Sequence, residues 1–111
     1  MRRKVKAVIT AVTGDLVVVT EDQFEHARAH FVGIPPILFM ELLTIVLKDP
    51  TDVFVDDTKH PKLYRLFYKY ETSHYILAVV KVMPDGNFFT TMYPTANKIR
   101  SKHKKLVRLK I

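Results

Sequence analysis

Two histidines and two hydroxyl side chains have the types and spacing that suit acid–base chemistry on a phosphate. His26 and His30 stand four residues apart in "FEHARAH", which places both on one face of a helix. Thr91 and Tyr93 alternate in "NFFTTMYPT", which places both on one face of a strand. Histidine can act as general base or acid near neutral pH, and hydroxyls donate to phosphate oxygens. A solvated helix and the β propensity of Thr and Tyr are the plainer explanations.

A metal site is a second interpretation of the histidine pair. The segment "HARAH" lacks the glutamate of the zincin pattern, and no third ligand is evident. The chain has no cysteine, which removes disulfides, thiolate catalysis and cysteine-type zinc sites. We therefore expect no metal and no cofactor.

The positive charge is concentrated at the two ends of the chain. Formal net charge is +7; residues 1–6 hold four of the 18 Lys and Arg residues, and residues 98–111 hold seven. Basic ends attract polyanions such as nucleic acid through counterion release, although a solubilising tail has the same composition. The candidate tail contacts to nucleic acid are Lys98, Arg100, Lys102, Lys104 and Lys105.

Local patterns in the first half predict a β-hairpin and two helices. Two apolar runs flank Thr13-Gly14-Asp15, as in a hairpin. Thr20 opens the capping box "TEDQ", so a first helix is expected from about Glu21 to Phe31. Pro35 and Pro36 suit the first turn of a second helix, which is apolar almost all round and is expected to be buried on most sides, ending at Asp49-Pro50.

From residue 53 onward the hydrophobic period changes to two. Strands are predicted at 53–55, 63–70, 75–83 and 87–93, with a turn at "PDGN" and another at "ETSH". Short turns between three strands predict an antiparallel meander. The expected fold is α+β in a single domain, residues 1–111, with the hairpin and two helices packed on the meander.

Alternation divides the meander residues between two faces. The face expected to meet the helices carries Tyr64, Leu66, Tyr68, Tyr70, Ile76, Ala78, Val80, Val82, Phe88, Thr90 and Met92. The second face carries Leu63, Arg65, Phe67, Lys69, Tyr75, Leu77, Val79, Lys81, Asn87, Phe89, Thr91 and Tyr93. Cations, hydroxyls and rings on this second face would hold phosphates and stack on bases, as an RNA groove requires. An ordinary solvated sheet face is the alternative.

Metal-free RNA cleavage needs few groups. A base removes the 2′-OH proton, an acid protonates the departing 5′-oxygen, and cations stabilise the transition-state charge. Histidine, lysine or arginine, threonine and tyrosine can fill these roles, and many proteins contain them.

The order of motifs resembles a known family. "FEHARAH", "LKDPTDVFVD", "YRLFYKY", "YILAVVKVM" and "FFTTMYP" follow one another as in phage and polymorphic-toxin nucleases of the barnase–EndoU–colicin–RelE-like (BECR) fold. The resemblance covers about residues 17–98. It implies a metal-independent endoribonuclease whose catalytic residues are His26, His30, Lys69, Thr91 and Tyr93.

The roles that the resemblance implies leave alternatives open. Either histidine is general base or acid, and Tyr93 binds phosphate with Thr91 or donates a proton. Lys69 stabilises the phosphate together with Arg65 or Arg28, and Lys81 adds a nucleic-acid contact. If the first helix covers the apolar face, its histidines reach Thr91 only around a sheet edge or across a curled sheet. The rival interpretation is a non-catalytic phage or mobile-element accessory module that binds nucleic acid or a protein.

Partners and location follow from the same interpretation. RNA is the expected substrate, and the toxin-like resemblance implies a cognate antitoxin or immunity protein. The longest apolar run, "IPPILFMELLTIVL", is too short to span a bilayer and contains two prolines and a glutamate. We therefore expect no membrane partner and a cytoplasmic location.

Overall fold

Two helices pack on one face of a seven-stranded sheet in the part of the chain that the computed structural model describes, residues 4–71, 74–95 and 106–110. The elements in chain order are β1 (Val5–Thr10), β2 (Leu16–Thr20), α1 (Glu21–Arg28), α2 (Pro36–Lys48), β3 (Asp52–Asp56), β4 (Leu63–Glu71), β5 (His74–Met83), β6 (Gly86–Thr95) and β7 (Val107–Leu109). The predicted α+β class, hairpin and meander are confirmed.

The hairpin and the first helix begin where the sequence predicts. Gly14 takes a positive φ of 87° in the β1–β2 turn, a conformation that glycine adopts without steric cost. Thr20 caps α1, its side-chain oxygen accepting a hydrogen bond from the Gln23 amide at 3.4 Å. The helix ends at Arg28, three residues earlier than expected, and His30 lies in the turn that follows. There the His30 amide donates to the Ala27 carbonyl at 3.0 Å, a tighter pattern than an α-helix.

Helix α2 has the predicted bounds but not the predicted burial. Phe39, Leu43, Val46 and Leu47 are fully buried against the sheet. The expectation that most sides are buried is wrong, because Ile37 and Ile45 are 75% and 48% exposed. Neither helix in the described residues is long and apolar enough to cross a membrane.

The sheet order is β1-β2-β6-β5-β4-β3-β7 among the described residues. All pairings are antiparallel except β2 with β6, which is parallel and short, joining Val17 and Val18 to Asn87 and Phe88. The last strand, β7, pairs with β3. Part of the predicted basic tail is therefore a strand of the sheet rather than a free extension.

Each face of the sheet has its own apolar cluster. On the helix side, buried residues of α1 and α2 pack against Val53, Phe67, Ala78, Phe89 and Met92 of the sheet. The opposite side carries a smaller cluster built on Phe54, Leu66, Tyr68 and Leu77. Tyr64, Tyr75 and Tyr93 pack against this second cluster, and Tyr70 contacts the Tyr75 ring with centroids 5.2 Å apart. We call this side the tyrosine face, because it carries all five tyrosines of the chain: Tyr64, Tyr68, Tyr70, Tyr75 and Tyr93.

The face assignment was right for β5 and wrong for β4. Register pairs Arg65 with Val80 and Lys69 with Ile76, so both cations point to the helix side. Their neighbours on β4, assigned to the helix side from the sequence, lie on the tyrosine face instead: Tyr64, Leu66, Tyr68 and Tyr70. The odd-numbered and the even-numbered residues of β4 both include large apolar side chains. Alternation therefore separates the two sets but does not show which set faces the helices.

A β-bulge corrects the assignment of β6. Val79 pairs with Thr91 and the next residue, Val80, pairs with Phe89, so Thr90 is the extra residue. Met92 lies in the helix-side core, as predicted. Phe89, 1% exposed, also lies there, whereas the sequence analysis had placed Phe88 and Thr90 on the helix side. Thr91 and Tyr93 lie on the side opposite the helices, as predicted, because they follow the bulge.

Candidate functional site

His30, in the turn after α1, meets the tyrosine face at the free edge of β6. β2 pairs only with the start of β6, at Asn87 and Phe88. The chain then turns at Thr20 into α1, which also contacts β6. The chain leaves α1 at Arg28, and His30 lies beyond that end. Its ring stands 6.0 Å, centroid to centroid, from the ring of Tyr93. Of the two routes left open by the sequence, around a sheet edge or across a curled sheet, His30 takes the first.

His30, Thr91, Tyr93 and Pro94 line one shallow depression at this edge. His26 lies one helical turn back, its ring 6.3 Å from that of His30. Both histidines are exposed, so solvent and ligands reach their nitrogens. Four of the five predicted catalytic residues are therefore neighbours: His26, His30, Thr91 and Tyr93.

The Thr91 hydroxyl is buried and has no hydrogen-bond partner among the described protein atoms. A buried hydroxyl without a partner costs about 1–3 kcal/mol, so such groups are few in folded proteins. Thr91 lies between the His30 depression and a deeper cleft, which it also lines. A turn of the Thr91 side chain about χ1 would be needed to bring its buried oxygen to a ligand held in either one.

The deeper cleft has a volume of about 370 Å³ and is formed on the tyrosine face. Leu66, Leu77 and Val79 form its apolar part. The polar and aromatic lining consists of Asp56, Lys59, Tyr64, Tyr68, Thr90, Thr91, Tyr93 and Thr95. Tyr93 and Thr91 belong to both depressions, so the cleft opens directly beside His30.

Tyr68 is the most perturbed titratable group in this cleft. Burial raises the pKa of its phenol far above the usual value, and the neighbouring Tyr93 and Asp56 raise it further. Tyr68 is thus a neutral hydrogen-bonding group at every physiological pH and does not serve as a base. The exposed histidines and Tyr93 remain as the candidate groups for proton transfer among the described residues of this site.

Lys69, Arg65 and Arg28 do not join the cluster. Lys69 Nζ donates to the Asp49 carbonyl at 2.7 Å and its carboxylate at 3.0 Å, on the helix side. Arg65, on that same side, forms an ion pair with Asp15 in the β1–β2 turn. The expected meeting of these two cations with Thr91 and Tyr93 is wrong, because the opposite faces of β4 and β6 separate them.

Arg28 is held by its own helix and by the loop after it. Its guanidinium bonds to the Glu25 carboxylate at 2.6 Å and to the Ile34 carbonyl at 2.8 Å. These bonds tie α1 to the loop that precedes α2. The predicted phosphate role of Arg28 therefore has no support in its contacts.

Other lysines stand near the cleft. Lys81 pairs with Tyr64 and lines an adjoining depression together with Lys4, and Lys59 Nζ stands 5.8 Å from the centroid of the Tyr64 ring. The predicted placement of Lys81 beside the site is consistent with this position. The remaining candidate cations lie outside the described residues: Lys98, Arg100, Lys102, Lys104 and Lys105.

Sequence reasoning missed Asp56, Tyr64 and Tyr68 as site residues. Asp56 lies at the end of β3, and the two tyrosines were assigned to the core. The alternating tyrosines of "YRLFYKY" were the available signal, because a phenol needs a polar partner or water even when its ring is buried.

Within the described residues no group of three histidines, aspartates or glutamates is placed to hold a metal ion. Comparison with protein-family models, curated proteins and solved structures found no match to this chain. Any function must therefore be argued from the geometry of the site and from the order of motifs in the sequence.

Proposed function

We propose that the chain is a metal-independent endoribonuclease that cleaves RNA by attack of the 2′-OH on the adjacent phosphate. The observation that carries this proposal is the convergence of His30, Thr91 and Tyr93 at one depression, together with the lack of a hydrogen-bond partner for the Thr91 hydroxyl among the described protein atoms. The order of BECR-like motifs agrees with it. His30 and the two β6 residues come from segments far apart in the chain, so their meeting is a property of the fold rather than of local sequence.

In this mechanism His30 and Tyr93 act as the general base and the general acid. One removes the 2′-OH proton and the other protonates the 5′-oxygen that leaves. His26, one turn away, is the second candidate for base or acid. Thr91 donates its hydroxyl hydrogen to a non-bridging phosphate oxygen, a hydrogen bond that strengthens as charge develops there.

Charge stabilisation is the part of the mechanism with the fewest candidates. The cations nearest the cleft are Lys59, Lys81 and Lys4, at its side rather than at the His30 depression. The rival function is a module that binds nucleic acid or a protein without turnover; it requires no cation at the His30 depression, whose described lining is His30, Thr91, Tyr93 and Pro94. The imidazolium of the second histidine can supply positive charge in the catalytic case.

Matched substitutions test the proposal. His30→Asn should lower RNA cleavage by about 10²–10⁴-fold, the range for losing a general acid or base. Its control is His74→Gln, at the first residue of β5 and outside both depressions. Tyr93→Phe should lower cleavage, whereas Tyr75→Phe, on the same face but outside the cleft, should not. Full activity of both His30→Asn and Tyr93→Phe would overturn the roles assigned to these two residues, and an inactive parent chain that still binds RNA would favour the non-catalytic module.

Two further expectations accompany the proposal through the family resemblance. The chain acts in the cytoplasm of the producing or target cell, and a cognate antitoxin or immunity protein neutralises it. Co-purification of an inhibitor that blocks the His30 depression would support the toxin-like version of the function.

A further inference from the structure

The tyrosine face offers rings as well as hydroxyls to a ligand. Tyr64, Tyr68 and Tyr93 line the 370 Å³ cleft together with Leu66 and Leu77. That volume lies within the usual range for small-ligand sites, about 300–1,000 Å³. The Tyr68 ring is almost fully buried, whereas Tyr64 and Tyr93 are half-buried and offer ring surface to a ligand. A cleft lined by apolar, aromatic and polar side chains suits a flat group that has polar edges.

We propose that this cleft receives an unpaired nucleobase beside the cleaved phosphate, so that the substrate is single-stranded RNA. The inference rests on the proposed function for the cleavage step alone. A base has a π-face to stack on tyrosine and edge donors and acceptors to meet Asp56, Thr90 and Thr95. Bases inside a duplex are stacked and paired, and cannot enter the cleft.

The positions of Lys59 and Lys81 agree with a single-stranded RNA that crosses the tyrosine face. Lys59 stands beside the Tyr64 ring, and Lys81 lies opposite Tyr64 across the β4–β5 pair. Phosphates on that side of the base would meet these cations, while the phosphate on the other side would meet His30 and Thr91. Base stacking thus sets which phosphate is presented for cleavage.

Tyrosine fluorescence gives a direct probe of the face. The chain has no tryptophan, and all five tyrosines lie on the tyrosine face, so its intrinsic emission reports from there. A single-stranded deoxyoligonucleotide lacks the attacking 2′-OH and binds without being cleaved. In moderate salt, which weakens purely ionic contacts, this oligonucleotide should perturb the emission and bind at least about tenfold more tightly than the same sequence as a duplex.

A matched pair of variants locates the stacking. Tyr64→Leu removes a ring from the cleft, whereas Tyr70→Leu removes one from the same strand and face outside it. Tyr64→Leu should weaken the single strand by about five- to hundredfold, the range for losing one stacked base, and Tyr70→Leu should have little effect. Deoxyoligonucleotides with an abasic site at each position in turn provide a test on the unmodified chain, and one position should show a similar loss.

The outcomes separate this inference from the proposed function. Selective binding of the single strand by a chain that cleaves no RNA would support the base cleft and overturn the nuclease. Equal cleavage of single-stranded and duplex RNA would support the nuclease and overturn the base cleft. Equal binding of duplex and single strand, equal effects of the two tyrosine variants, or no abasic effect at any position would also overturn it.

Discussion

Replacing Thr91 by valine should raise the stability of the chain while lowering its cleavage of RNA. The change keeps the shape of the side chain and removes a buried hydroxyl that has no partner among the described protein atoms. Leaving such a group unpaired costs about 1–3 kcal/mol. Recovering about 1 kcal/mol of that cost should raise the melting temperature by ~4 °C in a domain of this size.

The same substitution removes a hydrogen bond to the phosphate in the proposed mechanism. A hydrogen bond to a charged group contributes about 1.5–3 kcal/mol, so its loss in the transition state should slow cleavage by roughly ten- to hundredfold. Melting curves by circular dichroism and single-turnover cleavage of a labelled RNA measure the two effects separately.

Thr44→Val is the matched control. The Thr44 hydroxyl donates to the Met40 carbonyl at 2.7 Å on α2, away from the cleft. Its removal should leave cleavage unchanged and should not stabilise the chain. The reasoning is refuted if Thr91→Val melts no higher than the parent chain and cleaves RNA at the same rate, because Thr91 would then be neither unpaired nor in contact with phosphate.

Three further predictions follow from the contacts of other residues. Lys69→Met should leave cleavage within a few-fold of the parent rate, since Asp49 holds this amine on the helix side; a hundredfold loss would restore its predicted catalytic role. Neutralising the tail cations while keeping β7 should weaken RNA binding; the substituted residues are Lys98, Arg100, Lys102, Lys104 and Lys105. The slope of log K against log[salt] should become shallower by about 0.7 for each phosphate that the tail no longer neutralises. An unchanged slope would indicate a solubilising tail. Because burial raises the pKa of Tyr68, its contribution to stability is complete below the ordinary value of 10.0 and is lost as the pH rises toward the folded-state value, so Tyr68→Phe should unfold less steeply in alkali than the parent chain.

Local signals predicted most of the elements. The capping box of Thr20 and Gln23, the turn glycine at position 14 and the period-two strands each act over a few residues, and the structure follows them. Non-local pairings had no such signal. The short parallel contact of β2 with β6 and the addition of β7 to β3 depend on how the whole sheet assembles.

The candidate site was only partly readable for the same reason. Thr91 and Tyr93 follow the bulge at Thr90, so their face could be read from their alternation with Met92. The faces of β4 could not be read in this way, because the tyrosines and the stems of Arg65 and Lys69 all supply apolar surface. The ion-pair partners of the two cations on the helix side, Asp15 and Asp49, come from distant segments of the chain. A one-residue choice of face moved two predicted phosphate contacts to the other side of the sheet.

The chemical form of the cleaved ends tests metal-free attack by the 2′-OH most directly. The chain is incubated with a short RNA in excess EDTA, with His30→Asn as the control, and the products are identified by mass spectrometry. We predict cleavage in EDTA that yields 2′,3′-cyclic phosphate and 5′-hydroxyl ends and that is nearly abolished in His30→Asn. Loss of all cleavage in EDTA with recovery on adding a divalent ion, or products with 5′-phosphate ends, would contradict the mechanism.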